Sequence, residues 1–460
     1  MNTSTPELLA PAGGPEQLRA AIRFGADAVY LAGKRWGMRA RANNFDDKDL
    51  AWAIAYAHER GVAVHVTINT MMFDNDIDEL PVYLERLDDL GVDAAIVADF
   101  GALVLLRRHA PHVAAHVSTQ ASVSNAEAAL AYARLGASRI VLARELTLER
   151  IAELHRRVGD AVELEAFVHG SMCMAVSGRC LLSSALVGPE RSASCGNCTQ
   201  PCRWTWSLTE ETRPDQPMPL EADSRGSYLL SANDLCMLDH LDELADAGVA
   251  SLKIEGRNKG AYYVAAVTNA YRHVLDGEPA SAWMGELEAT SHRPFSTGFY
   301  FGKPTQNPGH AEYERERLLV AVANGSERCG DAWVTTVTCR NRAVPGDVIT
   351  VLAPHQPLRS FVLGEVERLE EAGDECGAGR AGAAERPGAG ERTSEDERIA
   401  EGEQFDNADQ SGENGQDGET AFPNDNNWQL WQPADRLAEN MRRYRLQMPF
   451  ELHAGDMLCK

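Results

Sequence analysis

Five of the ten cysteines fall between Cys173 and Cys202, within EAFVHGSMCMAVSGRCLLSSALVGPERSASCGNCTQPCRW, which runs from Glu165 to Trp204. Cys173 and Cys180 are separated by six residues, Cys198 and Cys202 by three, and Cys195 adds a C-x2-C with Cys198. Cys236, Cys329, Cys339, Cys376 and Cys459 are scattered. In a large chain, clustered thiols point to metal or redox chemistry rather than to a disulfide framework. Iron–sulfur clusters are held by soft thiolates, usually four, supplied from loops able to wrap the inorganic core. Gly178, Gly188 and Gly196 permit such wrapping, and Arg179 and Arg203 are placed to offset thiolate charge. A zinc site made of four thiolates is the alternative, although zinc ligands usually arrive as two C-x2–4-C pairs, which the six-residue gap fits poorly. Plain buried cysteines are the third reading. A radical-SAM site needs CxxxCxxC after the first strand; here CxxCxxxC follows the seventh.

Such a constellation needs a scaffold, and the first 165 residues repeat one unit: a short apolar strand, an amphipathic helix, then a glycine or proline break. The strand-like runs are 7–10, 28–31, 63–68, 94–98, 114–118, 139–142 and 162–168, each apolar as a parallel strand covered on both faces should be. Leu50, Ala53, Ile54 and Ala57 follow helical spacing. Ser124 with Glu127 offers a capping box, and Gly25, Gly61, Gly91 and Gly136 fall where helices should end. Seven units predict a closed (β/α)8 TIM-like barrel, with 251–254 as the eighth strand after a long insertion. Function in such a barrel belongs to the C-terminal strand ends. Those ends carry Asn69, Asp99, Ser118-Thr119-Gln120, Arg144-Glu145, His169-Gly170 and Glu255-Gly256-Arg257.

The barrel is expected over 1–303, with the cysteine-rich insertion at 170–204, and a small β-barrel domain over 304–460. Runs at 333–338, 348–352 and 361–366, with Pro-Gly-Asp at 345–347, predict the second domain's strands. Residues 370–427 hold 17 Asp and Glu against four Arg, and so carry −13 of the net charge of −24. That composition cannot offset the entropy of ordering, so the stretch reads as a disordered insertion, with order returning at Trp428. Without it the chain is ordinarily acidic, so net charge does not exclude a nucleic-acid partner. The segment Arg436…Arg442-Arg443-Tyr444-Arg445 is the most basic in this domain, either a phosphate track or a solvated helical face. No run of 18 apolar residues and no secretory leader is present, so a cytoplasmic protein without membrane association is expected.

The motifs ELLAPAG (7–13), GADAVYLAG (25–33), RARANNF (39–45), FVHGSMCMAVSGRCLLS (167–183), CTQPCRW (198–204) and SLKIEGR (251–257) make the chain recognisable. It resembles the collagenase-like unclassified peptidase family, number thirty-two in that scheme, and most closely the branch of prephenate-dependent tRNA uridine hydroxylases. The likeness is strong over 6–305 and weaker over 306–365. It implies a [4Fe–4S] cluster on Cys173, Cys180, Cys198 and Cys202, with Cys195 a bystander or backup ligand. It implies oxygen-independent hydroxylation of the wobble uridine in a tRNA anticodon loop to 5-hydroxyuridine, with prephenate as hydroxyl donor. Relatives act on ribosomal RNA or a quinone precursor. The peptidase label has little chemical support, since the chain shows no HExxH helix, GxSxG elbow or recognisable Ser-His-Asp order.

On that basis Arg39, Arg41, Arg144 and Arg257 are the expected seats for the two carboxylates of prephenate, because planar guanidinium groups bind carboxylates through two bonds. Asn69 and Gln120 join them as substrate contacts. His169 is an expected acid/base or a hydrogen-bond partner of the cluster, or else a supporting group behind it. Lys253 and Glu255 alternate with Ile254 and so share a face, where they would pair and orient substrate. A target base must be unstacked, which is easiest in a single-stranded loop. A related cluster enzyme or true peptidase, and a zinc-stapled binding protein, are the competing readings.

Overall fold

A computed structural model describes residues 5–39, 42–173, 180, 182–204, 207–208, 218–219, 222–223, 226–227, 232–302, 316–330, 332–369, 431–438 and 440–460. The stretch 370–427 and Trp428 lie outside these residues.

The first seven strands are β1 Glu7–Pro11, β2 Ala28–Leu31, β3 Ala63–Ile68, β4 Ala94–Val97, β5 Ala114–Val117, β6 Ala137–Val141 and β7 Glu163–Ser171. They alternate with α1 Pro15–Arg23, α2 Asp47–His58, α3 Asp74–Asp89, α4 Phe100–His109, α5 Ala126–Arg134 and α6 Leu148–Val158. Further along come β8 Asp234–Cys236 and β9 Ser251–Ile254. β9 pairs in parallel with both β7 and β1 and closes an eight-stranded barrel. The sequence pattern predicts this architecture, and its apolar residues do what their spacing implies. Leu50, Ala53, Ile54 and Ala57 are buried along α2. The cap of α5 differs: Asn125, not Ser124, accepts from the Ala128 N–H.

Strand seven differs more usefully. The apolar run ends at Val168, but β7 continues to Ser171 because β8 pairs with it antiparallel, Cys236 opposite His169 and Asp234 opposite Ser171. Asp234 is fixed by a buried ion pair, accepting from Arg293 Nη2 at 2.6 Å and Nε at 3.1 Å. The extension carries the chain past the barrel rim and delivers Cys173 above it.

The second domain is an eight-stranded antiparallel sheet curled into a half-barrel. Among its strands are β10 Leu319–Cys329, β11 Ala332–Cys339, β12 Val348–Leu352, β13 Arg359–Val362, β14 Val366–Leu369 and, after the undescribed stretch, β15 Arg443–Met448. The expected run at 361–366 is two strands, because the chain turns between Val362 and Val366. The basic 436–445 segment forms no helical face. β15 lies between β11 and β14, with Tyr444 and Arg445 buried. The domain docks on α1 through Arg23–Asp456 (2.5 Å) and Glu16–Arg340 (2.7 Å). Among the described residues no helix is long and apolar enough to cross a membrane.

Candidate active site

The C-terminal strand ends open into a cavity of about 890 Å³. Of the residues singled out from the sequence, Arg39, Asn69, Gln120, Arg144, Lys253, Glu255, Arg257, Cys173, Cys180, Cys198 and Cys202 line it. Arg41, Gly178 and Arg179 lie outside the described residues, as do the side chains of Cys195 and Arg203. His169 does not line the cavity.

A β-bulge explains the exception. Phe167 sits beside Lys253, facing the barrel axis, but the register then slips so that His169 sits beside Ile254. The slip turns the imidazole outward. It is 1% exposed, among Tyr263, Tyr271 and Phe295, and burial pulls its pKa down to about 3. A proton-transfer role at the mouth needs access that this ring lacks. Gly170 makes the slip possible: its φ is +101°, and a Cβ there would stand 2.5 Å from the Glu255 carbonyl oxygen.

Lys253 and Glu255 both face inward, as alternation predicts, but they do not pair with each other. Lys253 Nζ reaches down to Glu165 Oε1 at 2.7 Å. Glu255 reaches up to Arg144 Nη2 at 3.0 Å and Arg39 Nη2 at 3.5 Å. Burial would raise the Glu255 pKa, but Arg39, Arg144 and Arg257 outweigh it and hold the carboxyl at about 2. One carboxylate therefore faces three guanidinium groups, which leaves the floor of the cavity cationic.

Each arginine is held differently. Arg144 lies over the Phe167 ring at 3.7 Å and donates to the Ser171 carbonyl at 2.9 Å. Arg257, 3% exposed, donates to Thr67 Oγ1 at 2.5 Å, while its Nε and Nη2 are buried without partners. Burial lowers its pKa to about 10, still charged at neutral pH. Gly13, from ELLAPAG, makes room for it: a Cβ there would lie 1.9 Å from the Arg257 carbonyl oxygen. Arg39 adopts φ +72°, an uncommon conformation for a side chain of its size. Its carbonyl is fixed by the Ala42 N–H (3.0 Å) and Asn44 Nδ2 (3.4 Å). Asn69 braces the same turn, accepting from the Met38 N–H at 3.0 Å and donating to Ser118 Oγ at 3.3 Å.

The four cysteines line the same cavity. Cys173 is exposed; Cys180, Cys198 and Cys202 are half-buried. Gln200, at φ +59°, donates its N–H to Cys198 Sγ at 3.3 Å, and Gly196 turns the chain at φ +81°. Cys173 and Cys198 are close enough to Arg39 to raise its pKa, after the larger contribution of Glu255. Four soft donors on loops, an N–H aimed at one sulfur and a guanidinium nearby fit an iron–sulfur cluster. Ser183, fully buried, accepts from the Thr199 N–H at 3.0 Å and so anchors the Cys198–Cys202 loop to α7, Leu182–Val187. The Met71 N–H ties the loop after β3 to the Ser194 carbonyl at 3.0 Å. Neither Ser183 nor Thr67 was singled out from the sequence. Thr67 could have been, since it stands two residues before Asn69 on the inward face of β3.

Fold and site together define a (β/α)8-barrel protein whose mouth gathers four cysteines and clustered guanidinium groups around one cavity. The family model described as Peptidase family U32 matches residues 13–309, and the chain belongs to that family. It is 34% identical to tRNA hydroxylation protein P1 of Bacillus subtilis over 390 residues, 82% of this chain and 90% of that one. It is 31% identical to tRNA hydroxylation protein P of Escherichia coli over 414 residues, 79% and 89% of the two chains. An uncharacterized protease of Methanocaldococcus jannaschii is 42% identical over 311 residues, 65% and 74% of the two chains.

Proposed function

We propose that this chain is a tRNA hydroxylase that converts the wobble uridine to 5-hydroxyuridine without oxygen, using prephenate as hydroxyl donor and a [4Fe–4S] cluster held by Cys173, Cys180, Cys198 and Cys202. The observation that carries the reading is that those four cysteines and Arg39, Arg144 and Arg257 line one cavity. Relatives named tRNA hydroxylation proteins supply the substrate class.

In this reading the protein's own groups do the positioning. Arg257 offers two unpaired donors and Arg144 a planar fork, and both suit a dicarboxylate. Glu255 offsets the mutual repulsion of the guanidinium groups until a ligand carboxylate replaces it. The Phe167 and Tyr30 rings line the floor, with Lys253 Nζ 5.6 Å and 4.4 Å from their centroids. A bound cluster would supply electron transfer or Lewis acidity at the cavity's edge.

Anaerobically reconstituted protein, given substrate tRNA and prephenate, should yield 5-hydroxyuridine by nucleoside mass spectrometry. Colourless protein that binds one zinc, forms no product and cleaves peptides would overturn the proposal.

A further inference from the structure

Barrels of this type usually fill their axis with layers of branched apolar side chains, each layer supplied by alternate strands. Here the layer beneath the cavity is built from His65 on β3, His116 on β5 and Glu165 on β7, which are alternate strands. The three residues are 3%, 5% and 0% exposed. One ligand-competent atom from each lies within 4.8 Å of the other two, and the imidazoles meet edge to face with centroids 4.8 Å apart.

His65 Nδ1, His116 Nδ1 and Glu165 Oε2 are all buried without a hydrogen-bond partner. Each such atom costs about 1–3 kcal/mol if nothing satisfies it, and one ion held between the three side chains would satisfy all three. A neutral imidazole presents a lone pair to a metal ion. The groups behind them act as supports. Lys253 Nζ binds Glu165 Oε1 at 2.7 Å. Arg139 Nη1 sits 2.6 Å from Glu7 Oε1 and 3.5 Å from Glu165 Oε2. Arg139 Nη2 also lies 2.9 Å from Glu163 Oε2, so Glu7, Glu163 and Glu165 set three carboxylates around the two cations. A carboxylate oriented by outer hydrogen bonds is a usual feature of a metal ligand.

We propose that His65, His116 and Glu165 bind one divalent transition-metal ion, of the zinc class, on the barrel axis, separate from the cysteine centre above it. Two imidazoles and a carboxylate suit such ions. The ion ties three strands together below the cavity floor.

The test uses the full-length chain produced with zinc in the medium. Elemental analysis should find one tightly held zinc per chain beyond any cluster iron. Cobalt substitution should give ligand-field bands without the charge-transfer absorption of a thiolate. In His65→Gln and His116→Gln the affinity should fall at least about a hundredfold, while Cys198→Ser keeps the ion. Retention of zinc by both histidine variants, or thiolate bands with cobalt, would overturn the assignment. If the variants do not fold, anomalous scattering from wild-type crystals reads the site directly. A zinc peak among the three side chains supports the proposal, and a water there, or no peak, defeats it.

Discussion

Arg144 Nη2 donates to Glu255 Oε2 over 3.0 Å, and both side chains are 13% exposed. This bond joins the loop after β6 to the end of β9 across the cavity floor. The Glu255 carboxylate thereby occupies a guanidinium fork that an acidic ligand would use. Arg144→Lys keeps the charge but loses the fork, and should weaken dicarboxylate binding about 10- to 100-fold. Glu255→Gln removes the competitor and should tighten it. Calorimetric titration with prephenate reads both, and a shift of the same sign in the two variants would rule out the competition.

Replacing Cys173, Cys180, Cys198 or Cys202 singly by Ser should abolish hydroxylation and lower the iron content. Cys236→Ser should leave the iron in place, because that thiol lies behind β7, where burial pushes its pKa up to about 11. Iron analysis alongside tRNA nucleoside mass spectrometry distinguishes the two classes.

Gly13→Ala forces a methyl to within 1.9 Å of the Arg257 carbonyl oxygen, and backbone must move to relieve it. The expected cost is about 2–4 kcal/mol of stability, together with weaker dicarboxylate binding as Arg257 is displaced. Gly61→Ala serves as the control: its φ is +71°, but no atom stands within 4 Å of the added carbon. It should cost only the smaller backbone strain, about 1 kcal/mol. Denaturant titration checks the order.

Glu286 is 3% exposed, and burial raises its pKa to about 7 against the opposing effects of Asn269 and Arg317. The folded state therefore holds a proton that the unfolded chain releases near pH 4.5. Stability from this group is complete below about pH 4.5 and is lost as pH rises towards about 7, by up to about 3 kcal/mol. Glu286→Gln should match the wild type near pH 4.5 and exceed it at about pH 8. Equal stability of the two on the alkaline side would show that the carboxyl is not penalised.

Much of the barrel was legible because its strands are short apolar runs and its helices keep a period of about 3.6 residues, patterns that survive without knowledge of neighbours. The thiols between Cys173 and Cys202 were legible as a cluster because five fall within thirty residues, while the choice of Cys173, Cys180, Cys198 and Cys202 among them came from the family resemblance. The second domain was read less sharply: its 361–366 run is two strands, and its basic segment is a strand rather than a helical face. Sheet order, which sequence does not state, decides the burial of Arg445.

By itself the sequence determined a repeating strand–helix chain that closes into a barrel, with thiols gathered after the seventh strand, because local periodicity and residue type carry that information. Which groups share a centre was decided only by the tertiary structure. A one-residue slip between β7 and β9 sends His169 outward. Register pairs Lys253 with Glu165 instead of Glu255. Closure brings His65, His116 and Glu165, up to 100 residues apart in the chain, to one point on the axis. Each depends on pairing between distant strands, and side-chain direction reverses with a single step of register.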